Sequence, residues 1–559
     1  MASSARRVDI LGFSAAAALG AAAYFVWAGW RFLDPENVSW LRFGDRAMHT
    51  LGWWFYRVTP WSLPIIGANP RNGLEISSSV ALSDSLPLFA IPFKLLSPVL
   101  PTVFQYWGIW FLFCMVMQAV FGYAIGRQLR LSRTVSGLLG ACFVLTPAFL
   151  FRLPIHMALA GHWVLLAAVY LYVKQAPPRL FAWPLLLATT SAVHGYLLAM
   201  VLAVWIAALA QRLWLMAMSW RHAVLEVALG ISASLFVLWS AGFFMTPSLG
   251  AEGFGFYRMN LDSFLNPYSW SWVMPGLPTS PGDYEGLVFP GLGVLALLVL
   301  GLVLGRARLR QTLAPRWLPI LIVAIAMAAF ALSNKVVLGH TELFTLPLPQ
   351  KLLDFAAMFR ASGRMVWLAG YLVVLLAFVL LASRLKPRTL AALAAAAVLV
   401  QAADTSRGWM RFAAEQVPAA STWPTPIHSR FWLFAARHYD KIRAIPVSGL
   451  NKNWAELSYF AAFHGMSSDA AYLGRKDKKG FDRLKRMASR AMTEGRFEPD
   501  ALYVLDPASA AIAAQYLRPG DLLAQVDGFI LFARGGGVLA EAEHIPYQPY
   551  LPRTLAAIE

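Results

Sequence analysis

The chain has 559 residues, of which 58% are hydrophobic and 14% charged, and its formal net charge is +18. An ordinary soluble domain carries about 25% charged residues, so a wholly water-soluble fold is excluded. Nucleic-acid binding, the first reading of a basic chain, is also set aside, because the positive charge sits in short connectors between apolar runs. That pattern suits attraction to anionic membrane lipid.

A bilayer-crossing helix needs about 20 mostly apolar residues. In chain order the candidate runs are 10–30, 103–126, 134–152, 161–174, 180–193, 196–212, 223–245, 286–305, 317–333, 365–383 and 389–403. The fold class expected is a polytopic α-helical membrane protein of about eleven transmembrane helices over 1–403, followed by a small C-terminal α/β domain over 404–559. The first run follows Arg6 and Arg7 and reads as an uncleaved span. His194-Gly195-Tyr196 interrupts the long run from Phe181 to Ala210, which places a tight turn there. With a cytoplasmic N-terminus, the inside connectors carry Arg127, Arg130 and Arg133; Lys174 and Arg179; Arg212 and Arg221; Arg306, Arg308, Arg310 and Arg316; and Arg384, Lys386 and Arg388. This obeys the positive-inside rule and leaves the tail on the outer face, which is the periplasm of a bacterial inner membrane.

The first outer loop, 31–102, is rich in proline and tryptophan and holds five carboxylates. Asp34, in Leu33-Asp34-Pro35, reads as a helix stop beside a proline or as a site residue. Glu36 and Glu75 read as solvated side chains. Asp45 and His49 are four residues apart, so a helix puts them on one face, either as a general-base pair or as a surface pair. Asp84, in Ser83-Asp84-Ser85-Leu86-Pro87, either caps the next helix or points into a site. Arg57 and Lys94 are weaker candidates for holding a phosphate.

Further along, His194 and Tyr196 are suspects because ionisable groups beside a span often carry function, although a turn histidine also serves to satisfy backbone groups. Asp283-Tyr284-Glu285 closes a later outer loop. Its two carboxylates allow a divalent cation but supply too few ligands to indicate one. In Arg360-Ala361-Ser362-Gly363-Arg364 the two arginines share a face if the stretch is helical, and their forks match phosphate oxygens or lipid headgroups. The tail shows helical patterning over Phe431–Arg443 and Lys478–Met492, and short buried strands over 501–505 and 528–532. No nucleotide-binding loop, haem motif or Cys/His cluster is present in the sequence.

Taken together, Gly44-Asp45 with His49, the run Trp53-Trp54-Phe55-Tyr56-Arg57 with Pro60-Trp61, Ser83-Asp84-Ser85-Leu86-Pro87, Tyr284-Glu285-Gly286 and Arg360–Arg364 resemble an uncharacterised bacterial branch of the GT-C superfamily of integral membrane glycosyltransferases. The resemblance covers about 10–410. It implies an inverting transfer of sugar from a polyprenyl-phosphate-linked donor to an acceptor hydroxyl on a glycan, lipid or protein, without a cofactor. It further implies Asp45 as base, with Asp84 and then Asp34 behind it, and Arg360 and Arg364 on the donor phosphate. The paired acidic residues in the first loop of some relatives are absent. The rival readings are a flippase or transporter of lipid-linked sugar, and a non-catalytic component of envelope-polymer assembly.

Overall fold

A computed structural model describes residues 2–76, 78–174, 179–246, 253–305, 315–416, 422–447, 453–473 and 477–552. By contacts the chain forms two compact units. The first comprises Met1–Asn37, Phe104–Val237 and Gly250–Ala420, and the second Val38–Val103, Leu238–Leu249 and Ser421–Glu559.

The first unit is helical. Among the described residues, six helices are long and apolar enough to cross a membrane: Asp9–Ala28, Trp107–Gln128, Gly195–Trp214, Trp220–Ser240, Ser362–Ala382 and Pro387–Arg411. A seventh candidate is the pair Arg133–Val144 and Pro147–Ile155, bent by 46°. The other expected spans are shorter apolar helices, namely Met157–Val173, Leu292–Gly305 and Pro315–Ala331, together with the ten-residue helix Ala182–Ser191. Local breaks explain the shortfall. Met157–Ala160 winds as a 3-10 turn, and Gly291 takes φ +93 just before Leu292.

Small residues let these helices approach closely, as membrane packing favours. A Cβ on Gly122 would lie 2.6 Å from the Cα of Gly140 on the next helix. Between Gly195–Trp214 and Trp220–Ser240, Arg212 donates Nη1 and Nη2 to Glu226 at 2.9 and 2.7 Å, and Trp205 Nε1 donates to the same carboxylate at 2.8 Å. Arg212 therefore brings no net charge to its connector. Arg306, Arg308 and Arg310 lie outside the described residues. An antiparallel hairpin, β1 (Lys335–Leu338) with β2 (Thr341–Thr345), follows the helix Leu318–Ala331.

The tail was expected to begin at 404, where charge density rises. That position falls inside one continuous helix, Pro387–Gln416. Asp404, 3% exposed, is held there because its Oδ1 accepts from Ser271 Oγ and from the Trp272 and Val273 amides.

The second unit combines the first loop with the tail. Its sheet has the order β4-β3-β5-β7-β6-β8, with β3 (Lys441–Ile445), β4 (Ser467–Ser468), β5 (Ala501–Leu505), β6 (Leu522–Val526), β7 (Phe529–Ala533) and β8 (Gln548–Pro549). β3 runs parallel to β4 and β5, whereas β5, β7, β6 and β8 pair antiparallel. Asp527 and Gly528, with φ 48 and 82, form the two-residue turn that an Asp-Gly pair favours between β6 and β7. β3 corrects the helix expected over Phe431–Arg443. The helix Arg430–His438 stops there, and the segment after it is buried edge to edge against β5.

Two first-loop contacts define this grouping. Glu75, expected as a solvated side chain, accepts from Arg443 Nη1 and Nη2 at 2.6 and 2.8 Å. Trp54 packs edge-on against Trp423, Tyr459 and Phe463, with centroids 5.1–5.5 Å away. Trp54 of the loop thus shares an aromatic cluster with the tail.

Candidate active site

One group of candidate residues, the carboxylates of the first loop, lies in the second unit. Asp45 opens the helix Gly44–Val58, an amphipathic segment whose inner face buries Trp53, Trp54, Phe55 and Tyr56. His49 follows one turn later, 2% exposed, while Asp45 stays half-buried. The Ser83-Asp84-Ser85 turn docks on this helix. Ser85 Oγ donates to the His49 carbonyl at 2.7 Å, and Ser83 and Ser85 share a 2.8 Å hydroxyl contact. Gly52 makes the docking possible, since a Cβ there would sit 2.4 Å from both serine oxygens. Asp45, His49 and Asp84 are thus carried by one helix and the turn pinned to it.

Asp84 does not cap the following helix, Pro87–Leu95. Leu86 holds the N-cap position, and no side chain caps it. Asp84 and Leu86 both adopt left-handed φ, 49 and 56. Aspartate tolerates that conformation and leucine does not, so the turn stores strain of the sort concentrated at functional sites. Asp34 belongs to the other unit. Its exposed carboxylate accepts from the Glu36 amide at 3.0 Å, and its carbonyl accepts from Gln105 Nε2 at 2.8 Å, so it fixes the turn after the first span.

The two expected phosphate ligands in this loop, Arg57 and Lys94, are held differently. Arg57 donates to the carbonyls of Ser97, Leu100, Pro101 and Thr102 and ties down the chain after Lys94. Lys94 is 6% exposed, with Nζ 3.9 Å from the Tyr56 ring centre and 4.4 Å from that of Trp61, and has no hydrogen-bond partner among the described residues. Burial pushes its pKa down to about 8.

A second group of candidate residues, described by itself, lies in the first unit and centres on Glu285. Arg364 Nε and Nη2 each lie 2.7 Å from a Glu285 oxygen, Arg152 Nη1 lies 2.8 Å from Oε2, and His156 Nε2 lies 3.4 Å from Oε1. Burial alone would raise the Glu285 pKa, but the two arginines outweigh it and hold the carboxyl well below its ordinary range. Tyr196 faces Arg364, with the guanidinium carbon 4.8 Å from its ring centre, and its hydroxyl accepts from the Ala361 amide at 2.9 Å. That bond coincides with a break in the Arg360–Arg364 stretch, where Ala361 has φ −91 and ψ 64 between two 3-10 turns. The two arginines therefore part company instead of sharing a helical face. Arg364 turns inward to Glu285, whereas Arg360 stays half-buried, 5.8 Å from the centre of Tyr257.

Asp283 and Glu285 do not converge as a cation pair. Asp283 Oδ2 accepts from Asn260 Nδ2 and the Ser280 amide, and its Oδ1 lies 3.6 Å from Arg258 Nε. Glu285 faces other arginines, and Tyr284 between them packs 6.1 Å from Phe151. His194 caps the helix Gly195–Trp214 by accepting from the Tyr196 amide at 3.1 Å, which confirms the tight turn and gives the histidine a backbone role. Sequence reasoning missed Arg152. It is fully buried, stands alone in Phe151-Arg152-Leu153, and its partner lies 133 residues away. The one available signal was an arginine inside an apolar run.

A family model described as "Domain of unknown function (DUF6311)" matches residues 17–406, and a second, the "DUF6311 C-terminal domain", matches residues 431–534. The chain belongs to the DUF6311 family. Both groups of candidate residues fall within the main DUF6311 match, and strands β3 to β7 fall within the match to the DUF6311 C-terminal domain. No curated protein matches the chain.

Proposed function

We propose that this DUF6311 protein is an inverting glycosyltransferase of GT-C type, with about eleven membrane-embedded helices, that moves a sugar from a polyprenyl-phosphate donor to an acceptor hydroxyl. The observation that carries this reading is the arrangement of Asp45, buried His49 and the strained Asp84 turn on one helix of the first loop. In the proposed reaction Asp45 takes the proton of the acceptor hydroxyl. That oxygen bonds to the anomeric carbon from the face opposite the phosphate, the carbon–phosphate-oxygen bond breaks, and the electron pair leaves with the lipid phosphate. Arg360 is the cation assigned to that phosphate, because Arg364 is already engaged by Glu285. Asp84 is the second choice of base. The basic connectors support a cytoplasmic N-terminus, with the first loop and tail in the periplasm of a bacterial inner membrane.

The test uses full-length protein in nanodiscs with a radiolabelled polyprenyl-phosphate sugar. Asp45→Ala is expected to abolish transfer, and wild-type rates in both Asp45→Ala and Asp84→Ala would defeat the reading. One observation favours transport instead: Arg152, which pairs with the buried Glu285, belongs to a bent helix pair, and transporter sites are often built on broken helices. Movement of labelled lipid-linked sugar across vesicles, without any transfer, would select that alternative.

A further inference from the structure

The helix Lys478–Glu494 of the second unit carries six basic residues and two acidic ones, and it divides them by face. Leu484 and Phe481 pack against Ile76 and Leu473, while Ala488 and Ala491 join the core around Phe532. Opposite this apolar face lie Lys479, Arg483, Arg486 and Arg490, all exposed. Their spacing of i, i+4, i+7 and i+11 places them within about 60° of arc and along about 16 Å of helix. The result is a narrow line of cations.

That line has little neutralisation within the fold. Lys479, Arg486 and Arg490 have no carboxylate within 4 Å among the described residues, and Arg483 lies 3.7 Å from Asp477 while staying half-exposed. The helix is seated on the first loop, where a Cβ on Gly480 would lie 1.9 Å from the Glu75 carbonyl oxygen and Arg483 Nη2 donates to that carbonyl at 3.4 Å. The Glu75 carboxylate, however, is engaged by Arg443, as is Glu498, and Lys441 takes Glu498 and Asp500. Like charges one turn apart repel and weaken a helix, so an external anion would stabilise this face.

The shape of the stripe selects among anions. A helix that docks on a bilayer does so by sinking its apolar face into the headgroup boundary. Here the apolar face is occupied by the protein core, and only charge projects outward. A line one side chain wide matches a linear chain of anions better than a plane of headgroups. Three of its four members are arginines, whose forks bind carboxylate or phosphate oxygens in pairs.

We infer that the stripe of Lys479, Arg483, Arg486 and Arg490 binds an acidic glycan chain whose sugars carry carboxylate or phosphodiester groups. The inference rests on the transferase reading only for making that glycan the acceptor; the binding surface is tested by itself.

The test is binding of a galacturonate hexamer and of a short poly(glycerol phosphate) to the full chain in phosphatidylcholine nanodiscs. At least one is expected to bind, and binding is expected to fall as salt shortens the Debye length, about 10 Å at 0.1 M. Arg486→Gln with Arg490→Gln is expected to weaken binding about ten-fold, as for two well-formed exposed ion pairs. Arg430→Gln with Arg518→Gln removes the same charge from exposed positions elsewhere in the second unit and is expected to change binding less than about two-fold. Equal losses in the two double variants would overturn the stripe, as would no binding of either polymer, or neutral dextran binding as tightly. Phosphatidylglycerol vesicles that bind through the same arginines when neither polymer does would assign the stripe to lipid and overturn the glycan. Wild-type protein covers the case in which a variant does not fold. The bound polymer is expected to protect Arg486 and Arg490 from phenylglyoxal, and protection confined to other arginines counts against the stripe. If polymer binding follows the stripe and no sugar is ever transferred, the stripe stands and the enzyme fails. If the Arg486→Gln, Arg490→Gln protein transfers sugar to an acidic glycan with an unchanged KM for it, the stripe fails and the enzyme stands.

Discussion

Arg364 meets Glu285 through two 2.7 Å bonds, one to each carboxylate oxygen, while Arg152 approaches the same carboxylate at 2.8 Å. One buried anion thus holds two buried cations. Glu285→Gln leaves both arginines without a counter-charge and is expected to cost about 3–5 kcal/mol, the range for breaking a buried pair from one side. Thermal unfolding of purified protein in detergent measures it. The double variant Glu285→Gln with Arg364→Met is expected to recover part of the loss, and a double variant no more stable than the single would show that the arginine does not need the carboxylate.

Gly52 touches the Ser83-Asp84-Ser85 turn so closely that any side chain displaces it. Gly52→Ala is expected to destabilise by about 1–3 kcal/mol, as overpacking does, and to free the turn. Limited proteolysis should then cut near Asp84 sooner than in the wild type. Unchanged cleavage would mean that the serines are held some other way.

Glu75 contributes stability through Arg443. Burial tends to raise its pKa, but the Arg443 hydrogen bonds and charge overcome this and lower it. A lowered carboxylate stabilises the fold above its ordinary pKa, and that contribution disappears as pH falls through the lowered native value. Glu75→Gln should therefore cost about 1.5–3 kcal/mol at neutral pH, as for hydrogen bonds to charged groups, and little in strong acid. The melting temperatures of the two proteins should converge as pH drops, and parallel curves would refute the pairing.

Lys94 works in the opposite sense. Its pKa of about 8 means that the folded chain disfavours the ammonium, so the penalty is complete below pH 8 and vanishes above the ordinary lysine value of 10.5. Lys94→Met is expected to raise the melting temperature at pH 7, with the gain shrinking as pH rises beyond 8. A loss of stability at pH 7 would show that the aromatic faces of Tyr56 and Trp61 more than offset the desolvation.

Local signals were legible in the sequence and distant partnerships were not. Ala501–Leu505 is a strand as its apolar, β-branched composition indicates, and the turn at His194 sits where glycine interrupts the apolar run. Arg443 looked like the end of a helix because the amphipathic pattern from Phe431 continues into it; its burial in β3 depends on β5, whose residues lie about sixty positions on. Glu75 looked solvated because nothing nearby in sequence carries a matching charge. Asp45 and Arg360 were singled out by motif, charge and family resemblance. Arg152 did not, since its role depends on an anion in another loop. The parting of Arg360 from Arg364 depends on Tyr196, which lies 165 residues from Ala361.

The pairing of Glu75 with Arg443 has a consequence for how the molecule is made. The two residues are 368 positions apart, and ribosomes add about 5–20 residues per second. The loop bearing Asp45 and Asp84 therefore emerges tens of seconds before the strand that receives its acidic side chain. Throughout that interval the apolar helices are being synthesised while the candidate catalytic loop lacks its partner. The contact between the first loop and β3 is thus an end-of-synthesis event, and a chain that stops before β3 carries Glu75 without the arginine it engages.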